Sequence, residues 1–424
     1  MSGVDQDCPV PVNERFFTSR WIEVPEHVAE AGSGLPSGFR AAGVACGIKP
    51  DGAPDLGLMV SDQASTTSAA RFTRSGTQSA PVLVTSERAR LDAIRVVVVN
   101  SGNANAATGA PGLEHAARMQ SEAALATGAG TEQVAVASTG VIGVPLPIHP
   151  VLTGIGVAAR ELAPTGDLDF AQAIRTTDAF RKRASLEVTL PSGVVRLAAQ
   201  AKGAGMIAPG FATLLVFIQS DASLSPETCD LLLSVTVKRS FERISVDGQL
   251  STSDTVILQC SGSSGVRVEP ETTDELRFGE ALDVLMRQLA LAVLRDGEGA
   301  RRIGRVVVRG GDDRDVARVA RAIADSSLVK TALYGGDPNW GRIAQSVGMA
   351  MPGTAPLPVD IAIEGVQVCS RGAYVPHDQH ALRAGVQRQE VEYEIGLPGE
   401  GAETEVYFSD LGHEYVTINA DYTT

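Results

Sequence analysis

The chain has 424 residues, a net charge of −14 and a hydrophobic fraction of 44%, with aromatics at only 4%. That length suits one large or two medium domains with an ample core, and a core rich in Ala, Val, Leu and Gly suits helices packed closely on sheets. The acidic balance argues against nucleic acid and anionic membranes as partners, because nothing concentrates positive charge; the short cluster Arg181-Lys182-Arg183 reads as a solvated face.

Cysteines stand at 8, 46, 229, 260 and 369, an odd set with no C-x-x-C pair, so free or buried thiols in a reducing compartment are expected. The start, MSGVDQDCPV, is polar and lacks an apolar signal core. No apolar run approaches the ~18 residues of a membrane span. A cytoplasmic protein is the expectation.

Residues 1–35 form a polar, irregular lead-in with a short strand expected near 21–24. Segments 56–60 and 69–73 read as strands, and 95–100 (RVVVVN) is a buried strand by its continuous β-branched run. It opens into an Asn-rich loop, NSGNANAATG, whose glycines lack the G-x-G-x-x-G spacing of a dinucleotide site. The periodicity predicts an amphipathic helix over 114–127 and a strand over 134–137 that ends in STGVIG. Residues 170–180 read as a helix closing near Thr176-Thr177-Asp178, a triplet that by itself suits a cap or turn. Strands over 186–190 and 194–199 flank Pro-Ser-Gly as a hairpin, and the second delivers Lys202.

After Thr213, at the midpoint of the chain, the pattern restarts with a buried strand to Ser220. Ser225-Pro226-Glu227 starts a helix expected to reach about Arg243. Thr273 caps a long helix stopped near Asp296 by the glycines of DGEGA. A strand over 305–309 and a helix over 315–324 follow, and 328–342 reads as a rigid loop. The segments 358–364, 391–395 and 406–408 alternate like edge strands, and the tail from Tyr415 reads as a frayed end. His377-x-x-His380 is a weak metal hint, since it lacks an acidic partner or HExxH spacing.

Four separated runs occur in order: STGVIG at 138–143, KGAGMIAPGFATLL at 202–215, DGEGA at 296–300 and GGDPNWGRI at 335–343. Together they resemble the ornithine acetyltransferase (glutamate N-acetyltransferase) family of arginine biosynthesis, from about Gly38 to Thr424. The resemblance implies a layered α/β sandwich, with sheets between helical layers, that cuts itself between Ala212 and Thr213. Residues 1–212 would form an α chain and 213–424 a β chain, assembled as α2β2 or larger. Thr213 would then take acetyl from N-acetyl-L-ornithine and pass it to L-glutamate. A threonine hydroxyl needs an adjacent base, and the α-amine that cleavage creates titrates at about 7.7–8.0.

By the same resemblance, Thr139 and Gly140 form the oxyanion hole. Thr177 binds substrate, with Thr176 as the alternative register. Lys202 meets the substrate carboxylate, Glu298 meets the amino end, and Asn419 and Thr424 close the pocket. No metal or redox cofactor is implied; acetyl-CoA could enter as a substrate. Gly210-Phe211 and the loop DGQLSTSDT at 247–255 depart from the family pattern, the latter at Gln249, Leu250 and Ser253. These departures keep open a paralogue with a different acyl donor or acceptor, alongside a related amidase or aminopeptidase and an uncleaved, inactive protein.

Overall fold

A computed structural model describes residues 15–32, 34–208 and 214–421. Cys8, Ala212, Thr213 and Thr424 lie outside the described residues.

Two sheets stack face to face. The first has six strands in the order Val28–Glu30, Lys182–Leu190, Gly193–Lys202, Leu215–Ser220, Thr255–Cys260, Thr67–Phe72. The second has four, Phe39–Val44, Leu56–Ser61, Val96–Asn103 and Val134–Val141. Their inner faces share one apolar cluster that includes Phe39, Met59, Val97, Phe217 and Ile257. Phe170 fills it edge-on to Phe217, ring centroids 5.5 Å apart.

Each outer face is covered by helices. On the six-stranded sheet, Leu186, Leu197, Val216 and Leu258 pack with Leu233 and Val237 of helix Pro226–Arg239 and with Leu282, Leu285 and Leu289 of helix Thr273–Arg295. On the four-stranded sheet, Leu58, Val96, Val98 and Val136 pack with Met119 and Ala123 of helix Gly109–Thr127 and with Val151 and Ile155 of helix Ile148–Glu161. The result is the expected layered α/β sandwich, helix–sheet–sheet–helix. Sequence positions before and after Thr213 share the six-stranded sheet, since Gly193–Lys202 pairs with Leu215–Ser220.

A third, seven-stranded sheet carries helices Asp313–Ala324, Ser327–Gly335 and Trp340–Ala350 over a separate core that includes Val306, Val308, Val319, Ile343 and Phe408. Helix Thr273–Arg295 joins the two bodies, because its cluster also takes in Ile303 and Tyr407. Trp21 of the lead-in stacks on Tyr407 at 5.5 Å, and Gln288 donates to Thr18.

Several expectations are corrected. Residues 21–24 are not a strand; the lead-in pairs at Val28–Glu30 instead. The helix expected over 170–180 is Asp167–Ala173, and the Thr-Thr-Asp triplet is a turn beyond it, where Asp178 accepts the Thr176 amide at 3.1 Å. The helix expected to reach Arg243 ends at Arg239, followed by a short 3-10 turn. The expected rigid loop over 328–342 is mostly helical, interrupted over 336–339, where Gly336 has φ 60° and Asn339 caps the next helix. Strands Glu390–Gly396 and Glu403–Ser409 are interior, not edges. Their alternation arises because the face away from the core carries charge: Arg305 bridges Glu392 (2.9 Å) and Glu405 (2.7 Å). The tail is a helix, His413–Asp421, rather than a frayed end. Within Arg181-Lys182-Arg183, Lys182 is buried between Asp178 and Asp296 and Arg183 is paired with Asp167, so the cluster is not a solvated face.

Candidate active site

Strands Val96–Asn103 and Val134–Val141 run parallel, and both turn polar at their C-terminal ends. Ser101 faces Thr139 and Gly102 faces Gly140 in register, which then slips at Asn103. Gly140 has φ +130°, and a Cβ there would lie 2.4 Å from the Gly102 carbonyl carbon, so only glycine fits. The loop beyond is ordered by Asn103, whose Oδ1 accepts the Asn105 amide at 2.8 Å. Asn103 Nδ2 donates to the Val144 carbonyl at 3.1 Å. These contacts hold Thr139 and Gly140 at the mouth of the inter-sheet layer, where both line a cleft of ≈ 790 Å³ counted to its open mouth.

The opposite wall comes from the other sheet. Lys202 ends strand Gly193–Lys202 and is 4% exposed. No described residue gives its Nζ a hydrogen bond or an ion pair. Burial pushes its pKa down, with Asp178 pulling the other way and Lys182 adding to the fall. Behind it, Lys182 Nζ donates to Asp178 at 2.7 Å and to Asp296, all three buried. Burial alone would raise the Asp178 pKa, but Lys182, Lys202 and the Gly203 amide hold it well below the usual carboxylate range.

Glu298 enters from the glycine break after helix Thr273–Arg295, in a left-handed conformation (φ 38°) and 7% exposed. Thr177 Oγ1 donates to its Oε1 at 3.1 Å, and Asn419 Nδ2 donates to its Oε2 at 2.6 Å. Thr176 also lines the cleft. The structure therefore gathers Thr139, Gly140, Thr177, Lys202, Glu298 and Asn419 around one cleft, from five separate elements.

Asp247 forms the rim, and the sequence reading did not single it out. It accepts the amides of Met206 (2.6 Å), Ile207 (2.9 Å) and Gln249 (3.1 Å) and the Tyr415 hydroxyl (3.2 Å). It thereby ties the glycine-rich run after Lys202 to the C-terminal helix. The sequence signal for this was its place at the start of the loop DGQLSTSDT at 247–255; Tyr415 gave none. Gln249 and Ser251–Ser253 line the same cleft. His377 and His380 do not; His377 bonds the Val375 carbonyl and Gln379. Among the described residues, no group of three His, Cys, Asp or Glu could hold a metal ion, and no helix is long and apolar enough to cross a membrane. The described cysteines are free, three of them buried and Cys46 half-buried.

The helix–sheet–sheet–helix sandwich places a buried ammonium, Lys202, and a buried carboxylate, Glu298, on one cleft. The ArgJ family matches residues 40–424, and the chain belongs to that family. It is 42% identical over 397 residues to the arginine biosynthesis bifunctional protein ArgJ of Rhodopirellula baltica, covering 92% of this chain and 96% of that protein. To the protein of the same name from Nitratidesulfovibrio vulgaris it is 40% identical over 393 residues, covering 92% and 99%. A solved chain of ornithine acetyltransferase complexed with ornithine, from Mycobacterium tuberculosis, is 35% identical with a TM-score of 0.40, covering 44% of this chain and 99% of that one.

Proposed function

We propose that the protein is a self-cleaving acyltransferase that moves acetyl from N-acetyl-L-ornithine to L-glutamate. Family membership supports the reaction class, and one observation carries the assignment to this cleft. Lys202 offers an ammonium that no described residue hydrogen-bonds, while Glu298 offers a carboxylate held by Thr177 and Asn419. An amino acid carries the complementary pair of charges.

In this reading Thr213 Oγ first attacks the Ala212 carbonyl. A C–O bond forms, the C–N bond breaks, and the hydroxyl proton passes to the released α-amine; water then hydrolyses the ester. In turnover, Oγ attacks the acetyl carbonyl of the donor while the Thr213 amine accepts the proton. The collapsing intermediate expels ornithine, which takes that proton. The glutamate amine then attacks the acetyl ester, restoring the hydroxyl. Each addition builds negative charge on oxygen, and the Thr139 hydroxyl and Gly140 amide would stabilise it at about 2.7–4 kcal/mol per donor. Thr424 would complete the pocket with Asn419.

The cut pieces would stay together as an α chain (1–212) and a β chain (213–424), pairing into α2β2 or larger in the cytoplasm. No metal or redox group takes part in these steps; acetyl-CoA would enter only as an alternative donor. Gln249 on the cleft wall favours a second reading, a paralogue with another acyl donor or acceptor. Turnover of N-acetyl-L-ornithine against a panel of N-acyl amino acids separates the two. Acetate release without glutamate would instead mark a hydrolase, and one unbroken band on a denaturing gel would mark an inactive protein.

A further inference from the structure

Beneath the cleft lies a group of buried charges that the proposed reaction does not use. Lys182 opens strand Lys182–Leu190 and sits opposite Ala201, the neighbour of Lys202. Its Nζ donates to Asp178 Oδ1 at 2.7 Å and to Asp296 Oδ2. The side chains of Lys182 and Asp178 are wholly buried and that of Asp296 nearly so, and none of the three lines the cleft.

Each carboxylate uses its other bonds on backbone that delivers a cleft residue. Asp178 Oδ1 also accepts the amide of Gly203, the residue after Lys202, at 2.8 Å. Its Oδ2 accepts the amide of Thr176, the residue before Thr177, at 3.1 Å. Asp296 accepts the Ala179 amide at 3.0 and 3.1 Å, and its carbonyl accepts the Glu298 amide at 2.6 Å. Residues 176–179, 202–203 and 296–298 are thus fastened to one ammonium. A buried ion triad contributes little net stability, since apolar residues of the same volume often do as well, so its use here lies in placement. Among the carboxylates acting on Lys202, Asp178 pulls hardest. Yet the Asp178 oxygens are taken by Lys182 and two amides, and Lys202 Nζ bonds to no described residue.

We propose that Lys182 is a positioning residue for substrate binding: through Asp178 and Asp296 it sets Thr177, Lys202 and Glu298 in one arrangement, and by holding Asp178 it leaves the Lys202 ammonium to the substrate carboxylate. This rests on the reading of the cleft as an amino-acid site. Without Lys182, the Lys202 ammonium is drawn onto Asp178 and lost to the substrate. Thr139 and Gly140 stand on the other sheet, so the loss falls on binding rather than on the acetyl chemistry.

The test compares two double variants of the full-length protein that leave its net charge unchanged. K182M/D296N leaves Asp178 to capture Lys202, whereas K182M/D178N removes that aspartate and leaves Lys202 free. KM for N-acetyl-L-ornithine is expected to rise on the order of 100-fold in K182M/D296N, the loss expected from removing Lys202 itself. In K182M/D178N the rise should be at least about tenfold smaller, with kcat moving far less than KM in both. A crystal structure of K182M/D296N should show Lys202 Nζ bonded to Asp178. Should either variant not fold by circular dichroism, leucine in place of the asparagine carries the same expectations. A purely structural triad would give equal KM in the two double variants and an unmoved Lys202, and either result overturns the proposal. Wild-type protein that does not turn over N-acetyl-L-ornithine overturns instead the reading of the cleft, and the proposal with it.

Discussion

A Cβ on Gly205 would lie 2.5 Å from Glu298 Oε1. The carboxylate can keep its bonds to Thr177 and Asn419 only because residue 205 has no side chain. Gly205→Ala is therefore expected to turn Glu298 out of place. KM for the donor should rise about tenfold or more, about 1.4 kcal/mol, while the fold is kept. Steady-state kinetics with a melting curve checks this; an unchanged KM would mean that Glu298 does not meet substrate.

Gly140 is constrained twice, by φ +130° and by the approach of Gly102. Gly140→Ala should shift the backbone donor and cut kcat on the order of 10²–10³-fold. Self-cleavage should slow with it, since both reactions pass through a tetrahedral oxyanion. Gel assays of scission beside turnover assays read both effects, and loss of one alone would separate the two sites.

Among the described residues no group hydrogen-bonds the buried Lys202 ammonium, although Asp178, Glu298 and Asp254 attract it, so it is expected to serve binding. Its burial costs desolvation that the nearby carboxylates only partly offset, so its removal should be close to neutral for stability, while losing it as a ligand for carboxylate costs affinity. Lys202→Met should raise KM on the order of 100-fold and leave the melting temperature unchanged or higher. A clear drop in melting temperature would show that Lys202 is a structural cation.

Lys330, 2% exposed, donates to the carbonyls of Ser245 (3.3 Å) and Ser409 (3.0 Å). Burial pushes its pKa down to about 8, against Asp325, Asp247 and Asp410. The folded state thus releases this proton at a lower pH than the unfolded chain does. Between about pH 8 and 10 the unfolded state binds more protons, so stability rises with pH by something on the order of 3 kcal/mol. Lys330→Met should flatten that rise. Denaturant midpoints from pH 7 to 10 test it; an equal slope in the variant would place the titration elsewhere.

Much of this was legible in the sequence. The run RVVVVN declared a strand buried on both faces, and it lies between Leu56–Ser61 and Val134–Val141. Ser225 with Pro226 announced a capped helix, and Ser225 Oγ does accept the Thr228 amide. What failed had physical causes. Gly335-Gly336 and Pro338 made 328–342 look like a loop, although they only separate two helices whose apolar sides meet the third sheet. Helix His413–Asp421 buries no side chain, so it has no apolar stripe to read. Its attachments are Tyr415 to Asp247 and Asn419 to Glu298, partners 168 and 121 residues away. Asp247 was invisible as a hub for the same reason, since Met206, Ile207 and Tyr415 adjoin it only after folding.

The central claim is that a chain break turns Thr213 into nucleophile and base together. Intact mass measurement of the purified protein, before and after incubation with N-acetyl-L-ornithine, tests it most directly. The account predicts two pieces, the second beginning at Thr213 and gaining the mass of one acetyl group that glutamate then removes. A single unbroken chain, or an acetyl group carried on any other residue, would contradict it.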